Sequence, residues 1–121
     1  MSGNDAFLAI FLGDRTGARR REWDALPDDR RRVREAEGIA AWKAWVGKNQ
    51  GAIVAIGGPL GKTKRVSEGG IADVSNALSA YTVVRAESHD AAARLFEGHP
   101  HFTIFPGEAV EIMPVLPVPG A

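Results

Sequence analysis

The run AFLAIFLG, Ala6 to Gly13, is apolar at every position until its closing glycine. An antiparallel strand with one wet face alternates apolar and polar residues, so an unbroken apolar run describes a strand covered on both faces. It is far shorter than the roughly 20 residues a membrane-spanning helix needs. No Lys or Arg precedes it and no small-residue cleavage site follows, which argues against a signal peptide. The sequence therefore predicts a buried strand here, and whatever lies beyond must cover two faces.

Three more strand-like segments follow: Ala52–Gly58, Ala80–Ala86 with its β-branched residues, and Ala109–Val115, where Pro114 demands an edge or terminal position. Between Ala6–Gly13 and Ala52–Gly58 lies LPDDRRRVREAEGIAAWKAWVGKNQG, read as one long helix. Pro27 suits its first turn, Asp28 and Asp29 its positive end, and Gly51 its stop. The expected apolar stripe is Val33, Ala36, Ile39, Ala40, Trp42 and Val46, at three- and four-residue steps. A second, shorter helix is expected over HDAAARLFEG, capped by Ser88 and ended at Gly98. DRTGARRREW, the stretch Pro59–Leu78, and HPHFTIFPGE read as connections, and Leu116–Ala121 as an extended tail.

The order is β-α-β-β-α-β, an α+β ferredoxin-like pattern: an antiparallel sheet with two helices on one face. The two helices cover one face only, yet Ala6–Leu12 and Ala52–Ile56 are apolar on both. The expected solution is a homodimer in which two sheets face one another as a dimeric α+β barrel. The 121 residues are expected to form a single domain, 1–121, large enough for a real core.

Composition excludes several function classes. Fifteen basic residues balance fifteen acidic ones, so no global field favours nucleic acid or an anionic membrane. The Arg19–Arg21 and Arg30–Arg32 clusters are interleaved with acids and read as solvated helix surface. Without cysteine there is no disulfide, thiolate metal site or thiol nucleophile, and a cytoplasmic location is the simplest expectation. GGPLGKTK, Gly57 to Lys64, imitates the end of a phosphate loop. G-x-x-x-x-G-K-[ST] requires a glycine where Ile56 stands, and Gly69-Gly70 interrupts the helix that should follow. It is a glycine-rich strand exit, with Lys62, Lys64 and Arg65 available to an anion at a pocket rim.

Two histidines flank a proline in His99-Pro100-His101. In an extended segment, alternate residues point the same way, so both imidazoles could serve one proton transfer. A metal would need a third ligand from Asp73, Glu97 or Glu108; neither metal nor cofactor is expected. Tyr81 and Arg85 share a face of the third strand, and Glu111 alternates with Val110 and Ile112 on the fourth, so these three are candidate ligand-holding groups. Lys62 is a fourth. Trp42 and Trp45, three apart on the long helix, read as core or interface anchors.

Taken together, Gly57-Gly58-Pro59-Leu60, Tyr81–Ala86, Ser88–Phe96, His99-Pro100 and Val110–Pro114 resemble the YCII-related family, including its DGPF-type branch. The resemblance covers about the last two-thirds of the chain and implies a dimeric α+β barrel. One branch of that family resembles a dehydrochlorinase acting on a chlorinated hydroxyhydroquinone through a His-Asp pair, its histidine following the first strand. No histidine precedes His89 here, and His99 stands where many members have the Asp of an Asp-Pro pair, so that pair does not carry over. The expectation is a small-molecule pocket for a polar or aromatic ligand, with acid–base chemistry of lyase or isomerase type. Its rival is a non-catalytic ligand-binding or protein-interaction module in a regulatory or biosynthetic setting.

Overall fold

A computed structural model describes residues 5–120; residues 1–4 and Ala121, the ends of the expected domain and tail, lie outside it. The four expected strands are present as β1 (Asp5–Leu12), β2 (Ile53–Pro59), β5 (Leu78–Ala86) and β6 (Ala109–Pro114). They form one sheet in the order β2-β5-β1-β6, every pair antiparallel, which is the ferredoxin-like arrangement. The long helix α2 (Asp28–Lys48) and the short helix α3 (His89–Arg94) connect them as expected. Ser88 caps α3, its Oγ accepting from the Ala91 amide at 3.0 Å.

Three connections hold more structure than their sequences suggest. DRTGARRREW, read as a connection, carries a helix, α1 (Ala18–Asp24), with Arg19–Arg21 on its exposed surface. The Pro59–Leu78 stretch contains an antiparallel hairpin of β3 (Thr63–Ser67) and β4 (Gly70–Val74), whose strands pair only with each other. HPHFTIFPGE begins with a one-turn helix, α4 (Pro100–Thr103).

On β1, Phe7, Ala9 and Phe11 are buried while Ala6, Leu8, Ile10 and Leu12 are half-buried on the other face. The buried row packs with Val84 of β5, Trp45 of α2, Ala92 of α3 and Phe96 into the core. Phe11 is its centre: its ring lies 5.2 Å from Trp42 and 5.9 Å from Phe96, an aromatic cluster adding directional packing to simple burial. Trp45 also donates to the Leu95 carbonyl at 2.7 Å, tying α2 to the end of α3.

The buried line of α2 differs from the expected stripe. Val33 and Ile39 are 61% and 51% exposed, whereas Gly38 and Trp45 are buried and Arg34 and Trp42 are half-buried on the same line. The cause is Gly38: a Cβ there would run into the Phe105 ring, so the helix approaches the α4–β6 connection along its glycine. Arg34 follows the same line because its guanidinium donates to the Ile104 carbonyl at 3.2 Å. Close contact here selects a small residue and an arginine over the apolar ones.

Gly57 explains the glycine pair leaving β2. Its φ is +67°, a conformation open to glycine, and a Cβ would strike the Tyr81 carbonyl. The β2–β5 register shifts between Ala55 and Gly58, so Gly57 sits in a bulge that re-aims the chain toward the hairpin.

Candidate functional site

The chain reverses after β1 through Gly13-Asp14-Arg15, and this turn is fixed. Gly13 donates to Ala77, while Asp14 Oδ1 accepts from both the amide and hydroxyl of Thr16, each at 2.9 Å. Those bonds, the Thr16 amide first, hold the Asp14 carboxyl below the usual carboxylate range and keep it ionised.

His99 and His101 arrive beside this turn through α4. The segment is not extended, so the expected parallel alignment of the two imidazoles does not occur. His99 is the N-cap of α4, its Nδ1 accepting from the His101 amide at 3.0 Å, with Pro100 at the first helical position. Its ring is fully buried among Phe11, Trp42 and Trp45, at centroid distances of 5.1, 4.5 and 4.8 Å. Nε2 has no hydrogen-bond partner. Burial, reinforced by the neighbouring His101, pushes its pKa down to about 4, so His99 is a neutral ring.

His101 differs in access. Its Nε2 donates to the Leu12 carbonyl at 2.7 Å, which fixes the ring and leaves Nδ1 with the free lone pair. Burial lowers its pKa; the Leu12 bond opposes that shift, as does Glu108, while Arg19 adds to it. Gly107 packs directly on the ring, where a Cβ would collide with Cε1 and Nε2. Among the described residues, His99 Nε2 alone is a buried side-chain nitrogen or oxygen without a partner, so His101 Nδ1 is not sealed in the same way.

His101 lines a cleft of about 280 Å³ with Asp14, Arg15, Arg20, Leu60 and Ser79 among its walls. A neutral, oriented imidazole in a cleft with a fixed carboxylate and the uncommitted guanidinium of Arg15 can accept a proton and hold an anion. Asp14, Arg15, Arg20 and Ser79 were not among the sequence candidates. The available signal was the turn after an all-apolar strand, since open α+β sheets leave polar loops at strand ends.

The remaining candidates lie elsewhere. Tyr81, Val83 and Arg85 do share a face of β5, and Glu111 alternates on β6 as expected, but that face is opposite the helices and the histidines. Tyr81 and Glu111 both pair with Ile10 from either side, and Arg85 pairs with Ala6 two rows away. Adjacent strands lie about 4.8 Å apart, so Tyr81 and Glu111 are separated by roughly 10 Å of sheet. The sheet stands between them and His101. Lys62 lines a neighbouring cleft at the base of the hairpin. No group of three His, Asp or Glu side chains that could hold a metal occurs among the described residues. His89, exposed at the start of α3, donates from Nε2 to the Ile112 carbonyl at 2.7 Å and stacks 5.5 Å from Phe7, pinning α3 to β6. No described helix is long and apolar enough to cross a membrane.

No protein-family model and no curated protein matches this chain. Among solved structures, one that matches is the 5-chloro-2-hydroxyhydroquinone dehydrochlorinase of Burkholderia phenoliruptrix, in complex with 2,5-dihydroxybenzoquinone. It shares 20% sequence identity over 88% of this chain and 89% of that one, with a TM-score of 0.49. The fold assignment rests on the strand order above, not on this likeness.

Proposed function

We infer that the cleft at the end of β1 binds a small polar or aromatic molecule and that His101 takes a proton from it. The observation that carries this reading is the Nε2–H bond to Leu12, which leaves Nδ1 as the lone-pair nitrogen of a ring that lines a polar cleft. Burial favours the neutral form, which is the form a general base needs. Glu108, the carboxylate whose charge opposes the downward shift of the His101 pKa, supports the imidazolium once formed. His99 positions His101 by accepting its amide hydrogen rather than by touching ligand. The chemistry supported is proton abstraction, as in lyase or isomerase reactions.

The same proposal includes a YCII-type homodimer, on the motifs at Gly57–Leu60, Ser88–Phe96 and Val110–Pro114. A second copy is the proposed cover for the sheet face bearing Leu8, Ile10, Val83 and Met113, with Tyr81, Arg85 and Glu111 as the polar groups inside the resulting barrel.

Deuterium wash-in from solvent into small enolisable ketones and phenols, read by mass spectrometry, tests the base. Exchange above the buffer rate with the wild-type protein, absent in His101→Gln with binding retained, is the expected result. Binding with no exchange in either protein would leave the non-catalytic binding module; no binding at the cleft would remove both readings.

A further inference from the structure

Arg15 stands at the junction of two clefts. On one side is the His101 cleft; on the other is a cleft of about 500 Å³ at the hairpin base, lined by Lys62, Thr63, Lys64 and Asp73 among others. The walls run directly into one another, from Leu60 to Gly61 and from Ser79 to Leu78, with Arg15 common to both.

The cations here fall into two groups. Arg20 is committed to Asp24 at 3.1 Å, and Lys64 to Asp73 across the hairpin. Arg15 and Lys62 have no ion-pair or hydrogen-bond partner among the described residues. Asp14 is the one carboxylate left nearby, and its Oδ1 is occupied by Thr16. By contrast, Arg19 and Arg34, which line the groove beside α4, donate to the Phe102 and Ile104 carbonyls and so act in holding the fold. Two uncommitted cations on a joined pair of clefts, beside a turn locked by Asp14, can converge on a single negative charge.

We propose that Arg15 and Lys62 form a carboxylate subsite, so that the ligand of the His101 cleft is a small organic acid anchored there by its carboxylate. This rests on the base reading of His101 and adds the substrate class. Arg15 presents two parallel N–H donors that match a carboxylate, while Lys62 supplies a point charge from the hairpin side. A phosphate dianion fits less well, because the ionised Asp14 in the same wall repels its double charge more strongly than the single charge of a carboxylate.

NMR titration of the ¹³C-histidine-labelled protein with benzoate, benzamide, phenol and inorganic phosphate tests the subsite. Benzoate should shift the His101 resonance saturably, with benzamide and phosphate at least about tenfold weaker. Arg15→Gln and Lys62→Gln should each weaken benzoate by about tenfold while leaving phenol unchanged. Equal binding of benzoate and benzamide, or benzoate binding unaffected by both substitutions, overturns the subsite; a surviving phenol shift then leaves the His101 reading standing. Tighter phosphate than benzoate would reassign the receptor to phosphate and overturn the carboxylate assignment. If no probe moves His101, both the subsite and the base reading fail.

Discussion

His99 is neutral because an ionised ring cannot be solvated inside a cage of Phe11, Trp42 and Trp45. Its pKa falls from the ordinary 6.5 to about 4 in the folded chain. Between those values the unfolded chain binds the proton and the folded one does not, so this contribution is full above pH 6.5 and is lost as pH falls toward 4. The loss amounts to up to about 3 kcal/mol. Chemical denaturation across this range should show stability dropping with acid, and His99→Leu should flatten most of that slope while costing about 1 kcal/mol of capping. A slope equal to wild type in the variant would place the titrating group elsewhere. At Gly107 the constraint is spatial: Gly107→Ala should displace the His101 ring, break its bond to Leu12 and weaken ligand binding at least about tenfold. Gly57→Ala adds backbone strain at φ +67° and a clash with the Tyr81 carbonyl, so a loss of about 2 kcal/mol or more is expected in urea unfolding.

The elements divide into a sheet-and-helix frame and additions to it. The frame was legible because long apolar runs, Ser88 and the order of segments all pointed the same way. What the sequence hid was local and short. The hairpin β3–β4 offers Val66 and Ile71, cross-strand partners 76% and 73% exposed, so no buried face imposes a period. Its signal was Glu68-Gly69 between alternating residues, a two-residue turn. Helix α4 is one turn, too brief for periodicity, though a proline after a polar cap marked its start. The α2 stripe misled because Gly38 and Arg34 hold the buried line through contacts with Phe105 and Ile104 that no local pattern encodes. Likewise the histidines were visible, but the one-turn helix that brings the His101 ring to the Leu12 carbonyl was not. Because β3 and β4 pair only with each other, replacing residues 63–74 by a short turn should leave the melting temperature within a few degrees. A cooperative loss of the whole fold would show that the hairpin supports the frame.

At the scale of the whole molecule, the helices cover one face of the sheet and leave the other lined by Leu8, Ile10, Val83 and Met113. Leu8 sits mid-face, paired with Val83 on one side and Met113 on the other. Light scattering should give the mass of two chains, and Leu8→Lys, which places a charge at the centre of that face, should give the mass of one with the fold retained. The His101 cleft opens at the end of β1 and none of Leu8, Ile10, Val83 and Met113 lines it, so Leu8→Lys should still bind ligand. The central claim is that this cleft holds a neutral imidazole oriented by Leu12. Histidine ring ¹⁵N NMR measured across pH on the intact protein addresses it directly. The expected result is a His101 ring protonated at Nε2, titrating below the ordinary 6.5. A ring protonated at Nδ1, or a pKa at or above 6.5, would contradict it.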